Sequence, residues 1–199
     1  MRRQLFMMVY LACFLVMPMV AQERLTAAQI NQMKRVGLDR INEFQKDMNF
    51  IMNPDNERYA RLKTAWTHTK LFFINEEVDI SVTDSRGVKR KKKLLVYLTA
   101  ALGLEYTAVE VTFADIYCGN RLVYDERISK ERGGNWYTVP VVYTQQFKGG
   151  RGKEAVFSDA VIRKTVVYIE KTQEVVDGEK IDTYHALLGD SDVTEIVYK

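Results

Sequence analysis

Cysteine is nearly absent: the 199 residues hold two, Cys13 and Cys118. Cys13 lies in an N-terminal apolar segment that reads as removable. Cys118 would then have no intramolecular partner, and packing must hold the fold. Cys118 is expected to be a small, buried apolar residue. Histidine is as scarce, with His68 and His185 far apart in the chain. Neither lies in a metal-ligand spacing, and no cluster of acids joins them, so no transition-metal site is implied. Asp190 and Asp192 are too few ligands for calcium. No Gly-x-Ser-x-Gly elbow is present. The stretch Gly149-Gly150-Arg151-Gly152-Lys153 fails as a phosphate loop. Phe147 stands where its first glycine belongs, and Glu154 replaces the Ser or Thr. It reads as a basic hairpin loop. No cofactor is implied.

A charge surplus is also lacking. The whole chain carries +3. Removing the N-terminal segment with Arg2 and Arg3 leaves 27 basic against 26 acidic residues, a net charge of +1. That balance excludes a general nucleic-acid binder. No apolar run after the first segment is long enough to span a bilayer.

What is present at the start is a three-part export signal. Arg2 and Arg3 are followed by an uncharged apolar run over residues 5–16. Met17-Pro18-Met19-Val20-Ala21-Gln22 then places small Ala21 before a cut. The expectation is a signal peptide over residues 1–21 and a single domain over residues 22–199, in the periplasm or outside the cell.

Within that domain, Thr26 and Gln29 form a capping-box pattern. Ile30, Met33, Ile41, Phe44, Met48 and Ile51 continue at helical spacing. Asn53-Pro54 separates a second helix, whose stripe reads Tyr59, Leu62, Trp66, Thr69 and Phe73. The pattern then changes to alternation at Val78, Ile80 and Val82, ending in a turn at Asp84-Ser85-Arg86-Gly87. Leu94, Leu95, Leu98 and Leu102 mark a short third helix stopped at Gly103. Val109, Val111 and Phe113 alternate, and then the apolar face moves to Ile116 and Cys118. That one-residue shift predicts a β-bulge near Asp115. Pro140 interrupts the next strand and favours an edge or bulge there. Residues 161–169 are apolar on both faces and should be central and covered. Asp177-Gly178 predicts a tight hairpin.

The fold class is therefore α+β, with a helix pair and a short third helix on a mainly antiparallel sheet. The helix at Tyr97-Leu98 to Leu102, the strand from Val109 to Asp115, the strand from Tyr143 to Gly149 and the ending from Leu187 to Val193 carry a resemblance. In this order they resemble the nuclear transport factor 2-like superfamily, which includes ketosteroid isomerase, and exported bacterial proteins with that fold. The resemblance implies a strongly bent, cone-shaped sheet around the helices, with a pocket at the wide end. The isomerase-type pocket tyrosine of the first helix has no counterpart, since residues 26–52 contain no Tyr.

The candidate pocket residues are Asp115, Tyr117, Tyr143 and His185. A bulge re-aims its side chain, and a half-buried carboxylate there could serve as a base, which makes Asp115 the catalytic candidate. Trp66, Phe72, Phe73, Trp136 and Tyr137 are the aromatics available to fill the cone. Lys89, Arg90, Lys91, Lys92 and Lys93 form the one dense charge run. At a helix start they would oppose the macrodipole, so they suggest a patch for an anionic surface. The leading expectation is a non-catalytic domain that binds a small ligand or an envelope protein. An isomerase- or dehydratase-type acid–base enzyme, and a structural subunit of a secretion or conjugation machine, are the alternatives.

Overall fold

The computed structural model describes residues 24–83, 87–152 and 154–198. The expected signal segment and the turn residues Asp84, Ser85 and Arg86 lie outside them. Helix α1 (Ala27–Met52) starts at Thr26, whose side chain accepts from the Gln29 N–H while the Gln29 side chain accepts from the Thr26 N–H. Met33, Ile41, Phe44, Met48 and Ile51 form its buried stripe. Gly37 interrupts that stripe for a steric reason. A Cβ there would stand 3.3 Å from Val167 Cγ1, so the glycine lets the helix settle on the sheet.

Helix α2 (Arg58–Leu71) follows, and it corrects the sequence expectation. Its buried residues are Arg61, Ala65, His68 and Thr69, while Tyr59 and Trp66 are 69% and 48% exposed. The polar members of the inner face have partners. Arg61 Nε donates to the Ile51 carbonyl at the end of α1, and His68 Nε2 lies 3.1 Å from Asp47 Oδ2. Tyr59, Leu62 and Trp66 of the expected stripe face solvent, because these polar pairs hold the opposite face against α1, while Thr69 and Phe73 are buried as expected. Phe73, Trp136 and Tyr137 do fill the core, Phe72 packs at its margin, and Trp66 does not.

The strands are β1 (Asp79–Thr83), β2 (Lys89–Lys93), β3 (Ala108–Cys118), β4 (Val123–Tyr124), β5 (Asn135–Arg151), β6 (Glu154–Val176) and β7 (Glu179–Tyr198). They form one open sheet in the order β2-β1-β7-β6-β5-β3, with β4 paired to β5. Helix α3 (Leu94–Ala100) and a 3-10 turn (Ala101–Gly103) follow β2, and helix α4 (Glu126–Arg132) precedes β5. The Lys89–Lys93 run is thus a fully exposed edge strand and not a helix start. The helix begins at Leu94 with Lys93 as its N-cap, so the other four cations of the run lie outside its first turn.

The expected bulge is present. Ala114 pairs with Thr144 and Tyr117 with Val142, so β3 carries one extra residue. Asp115 takes a φ of 51° to accommodate it. Pro140 sits where β5 changes partner, between the end of β3 and β4. Its carbonyl accepts from the Gly119 N–H at 2.8 Å. In a strand the N–H of a residue points the same way as its carbonyl, so the missing donor faces this gap. The residue 161–169 segment is central, between β5 and β7. One face is buried at Val161, Arg163, Thr165, Val167 and Ile169, and the other is half-buried at Ile162, Val166 and Tyr168, with Lys164 exposed. The Asp177-Gly178 turn joins β6 to β7, with Asp177 at a φ of 52°.

No helix among the described residues is long and apolar enough to cross a membrane.

Candidate functional site

The four pocket candidates from the sequence do not come together. Asp115 is exposed on the outer side of the bulge, where its carboxylate accepts a 3.4 Å contact from Thr144 Oγ1. Tyr117 is 54% exposed. His185 is exposed on β7. Tyr143 is fully buried and serves packing. Its ring lies 4.5 Å from that of Phe113, and its hydroxyl is 3.2 Å from Thr165 Oγ1, which in turn donates to Ser191 Oγ. The bulge displaced the apolar face as expected, but it turned Asp115 outward. Cys118, expected to be buried, is half-buried and has no disulfide partner among the described residues, and burial raises the pKa of its thiol.

A cleft of about 410 Å³ lies elsewhere, on the covered face of the sheet. Its floor is Gln145 and Phe147 on β5, and Phe157, Asp159, Val161 and Arg163 on β6. One wall is α3 and the chain after it, with Tyr97, Ala100, Leu104 and Tyr106. The other wall is the β1–β2 hairpin, with Val82, Thr83, Arg90 and Lys92.

Strand alternation explains how the basic run contributes. Lys89, Lys91 and Lys93 share one face of β2, and each has an acceptor. Lys89 Nζ donates to the Thr194 carbonyl, and Lys91 Nζ lies 3.6 Å from Asp192. Lys93 Nζ lies 3.1 Å from Asp79 and 3.2 Å from Glu77. Arg90 and Lys92 point to the opposite face, and both line the cleft. The run is two sets of cations with different surroundings, not one patch.

The cleft is polar at one end and apolar at the other. Arg163 is 4% exposed. Its Nη1 donates to the Ser81 carbonyl at 2.8 Å, and its Nε has no hydrogen-bond partner among the described residues. Gln145 is buried nearby, within hydrogen-bonding reach of the Tyr97 phenol. Burial pushes Tyr97 above the usual phenol range, opposed in part by the Arg163 charge and the Gln145 hydrogen bond. The phenol therefore stays protonated and remains a donor. Six residues along β6, roughly 20 Å at strand rise, Phe157 marks the other end. There its ring lies 5.9 Å from that of Phe147, and Tyr106 lies 5.9 Å from Phe147 on the opposite wall. Tyr106 also covers Gly149, where a Cβ would approach its ring to 2.9 Å. Leu104, beside it in the chain, is 42% exposed at the mouth.

Two other depressions, around Asn31 and Arg35 on α1 and around Arg24 and Leu122, contain no buried charged group. No group of three or more metal-ligating side chains occurs among the described residues. Sequence reasoning missed Arg163 because residues 161–169 read as an apolar run. The available signal was a cation on the alternating buried face of that run, where a covered strand has no general use for one.

No protein-family model matches the chain, and no curated protein or solved structure matches it either.

Proposed function

We propose that this chain is an exported, non-catalytic binding domain whose cleft between α3, the β1–β2 hairpin and the sheet takes a small organic ligand. The observation that carries the reading is Arg163. An arginine 4% exposed, with its Nε unpaired, opens onto a cleft walled largely by apolar side chains. For stability alone, an apolar residue of similar volume serves as well or better at such a position. A buried donor without a partner costs about 1–3 kcal/mol. A ligand that brings a counter-charge into the cleft offsets the cost of burying the guanidinium. The volume falls within the range of small-molecule sites, and the mix of apolar wall and few polar groups is their usual character.

Binding is favoured over acid–base catalysis because Asp115, the carboxylate the sequence offered, faces solvent away from the cleft. The resemblance to the nuclear transport factor 2-like superfamily, whose sheet shelters a pocket, supports the same reading. Export rests on the Arg2-Arg3, apolar-run and Ala21 pattern. N-terminal sequencing of the exported protein should begin at Gln22; a retained Met1 would refute cleavage.

Ala100 is exposed at the cleft wall, so Ala100→Trp should fill the opening without disturbing the core. The fluorescent probe 8-anilinonaphthalene-1-sulfonate should bind the parent at one saturable site and lose that site in the folded variant. Equal binding by both proteins, or none by the parent, refutes the cleft as a ligand site.

A further inference from the structure

We infer that the ligand is an amphiphile with a single carboxylate head and an unbranched apolar body, bound head-inward with the carboxylate on Arg163. This rests on the cleft being a ligand site, and it adds the chemical class and the orientation. The head assignment follows from the guanidinium. Nη1 is committed to the Ser81 carbonyl and Nε is enclosed without a partner, so the charge of the guanidinium that lines the cleft is left for an anionic head. The Tyr97 hydroxyl, beside Gln145 on the cleft lining, adds a neutral donor at the same end.

The charges lining the cleft among the described residues are Arg90, Lys92 and Arg163 against Asp159 alone. The balance is positive, which suits one negative head and disfavours an amine. The body assignment follows from the other end. Phe147, Phe157, Tyr106 and Leu104 offer rings and a methyl-rich side chain with no buried charge among them. Arg163 is buried and Leu104 stands at the open mouth, so the head lies inside and the body points outward. A neutral amphiphile can accept a hydrogen bond but leaves the positive balance of the cleft without a counter-charge, and a hydrophilic anion would leave the aromatic end in water.

The test is titration calorimetry of the purified protein with decanoate, decanol and decylammonium below their aggregation limits. Decanoate should bind at least about tenfold more tightly than decanol, as expected of a charge-assisted pair. In Arg163→Gln, decanoate should fall to within about twofold of decanol, with decanol unchanged. Should Arg163→Gln fail to fold, Lys92→Gln at the exposed rim provides the second reading. It should weaken decanoate about threefold at low salt and leave decanol alone. Equal binding of decanoate and decanol by the parent, tighter binding of decylammonium, or undiminished decanoate binding by a folded Arg163→Gln or by Lys92→Gln overturns the head assignment while leaving the cleft as a binding site. Binding of none of the three overturns both.

Discussion

Asn49 and Val111 exchange two hydrogen bonds of 2.7 Å each: the Asn49 side-chain amide donates to the Val111 carbonyl, and the Val111 N–H donates to Asn49 Oδ1. One turn away, Gln45 Oε1 accepts from the Phe113 N–H at 2.9 Å. Strand β3 is the outer strand beyond β5. Its unpaired backbone groups would otherwise be open to pairing with another chain. Two amides of α1 take the place of a further strand, and this fixes the helix on the sheet edge. Asn49→Ala should cost about 2–3 kcal/mol, since two backbone groups lose their partner together. Gln45→Ala should cost about half as much. Urea unfolding of both variants checks the ranking; equal, negligible losses would show that water replaces the amides.

Asp47 and His68 give a pH signature. Burial, with the Glu43 charge, pushes the Asp47 carboxyl up to about 6. Burial, with the Arg40 charge, pushes His68 down to about 4. His68 also stacks on Phe72 at 4.1 Å, and its Nδ1 has no hydrogen-bond partner among the described residues, so an imidazolium would bury an unpaired N–H. A raised carboxyl contributes stability present below its unfolded pKa and lost as pH rises through 6. A lowered histidine contributes stability present above its unfolded pKa and lost as pH falls from about 6.5 toward 4. Between pH 4 and 6 the two oppose each other. Asp47→Asn removes the carboxyl and keeps an acceptor for His68. Relative to the parent, it should lose on the order of 1 kcal/mol per pH unit as pH falls from 6 to 4. Chemical unfolding at several pH values measures this, and parallel curves for the two proteins would contradict it.

The two faces of α2 and the chain after it predict unequal costs. Phe73 is 2% exposed and meets Phe44 edge-on at 5.3 Å. Phe73→Ala should cost about 3–5 kcal/mol. Trp66 is 48% exposed, with Lys70 Nζ 5.7 Å from its ring. Trp66→Ala should cost under about 1 kcal/mol. Thermal unfolding of the pair separates the buried face from the exposed one; similar costs would mean that Trp66 is covered in solution.

The paired lysines of β2 predict an effect on association. β2 is an edge strand, and charged side chains discourage edge-to-edge pairing. Replacing Lys89, Lys91 and Lys93 with Gln should leave the unfolding midpoint within about 0.5 kcal/mol per site, because exposed ion pairs contribute little. The same protein should self-associate at lower concentration than the parent in analytical ultracentrifugation. An unchanged monomer fraction would assign those lysines no protective role.

The sequence by itself determined what depends on short-range chemistry. The Thr26–Gln29 cap, the α1 stripe from Met33 to Ile51, the bulge at Asp115 and the Asp177-Gly178 turn all follow from residues a few positions apart. The α+β class and the central place of residues 161–169 follow from periodicity in the same way. The tertiary structure alone decided which face each element buries. Polar pairs to α1 turned Tyr59, Leu62 and Trp66 of α2 to solvent and left Thr69 and Phe73 inside. Pairing with β1 made a strand of the Lys89–Lys93 run, and alternation then sent Arg90 and Lys92 into the cleft and the other three lysines toward acids. The cleft was not legible because it joins residues 52, 97, 145 and 163 from four separate elements. Strand register brings them together, and no local pattern encodes register across so long a chain separation.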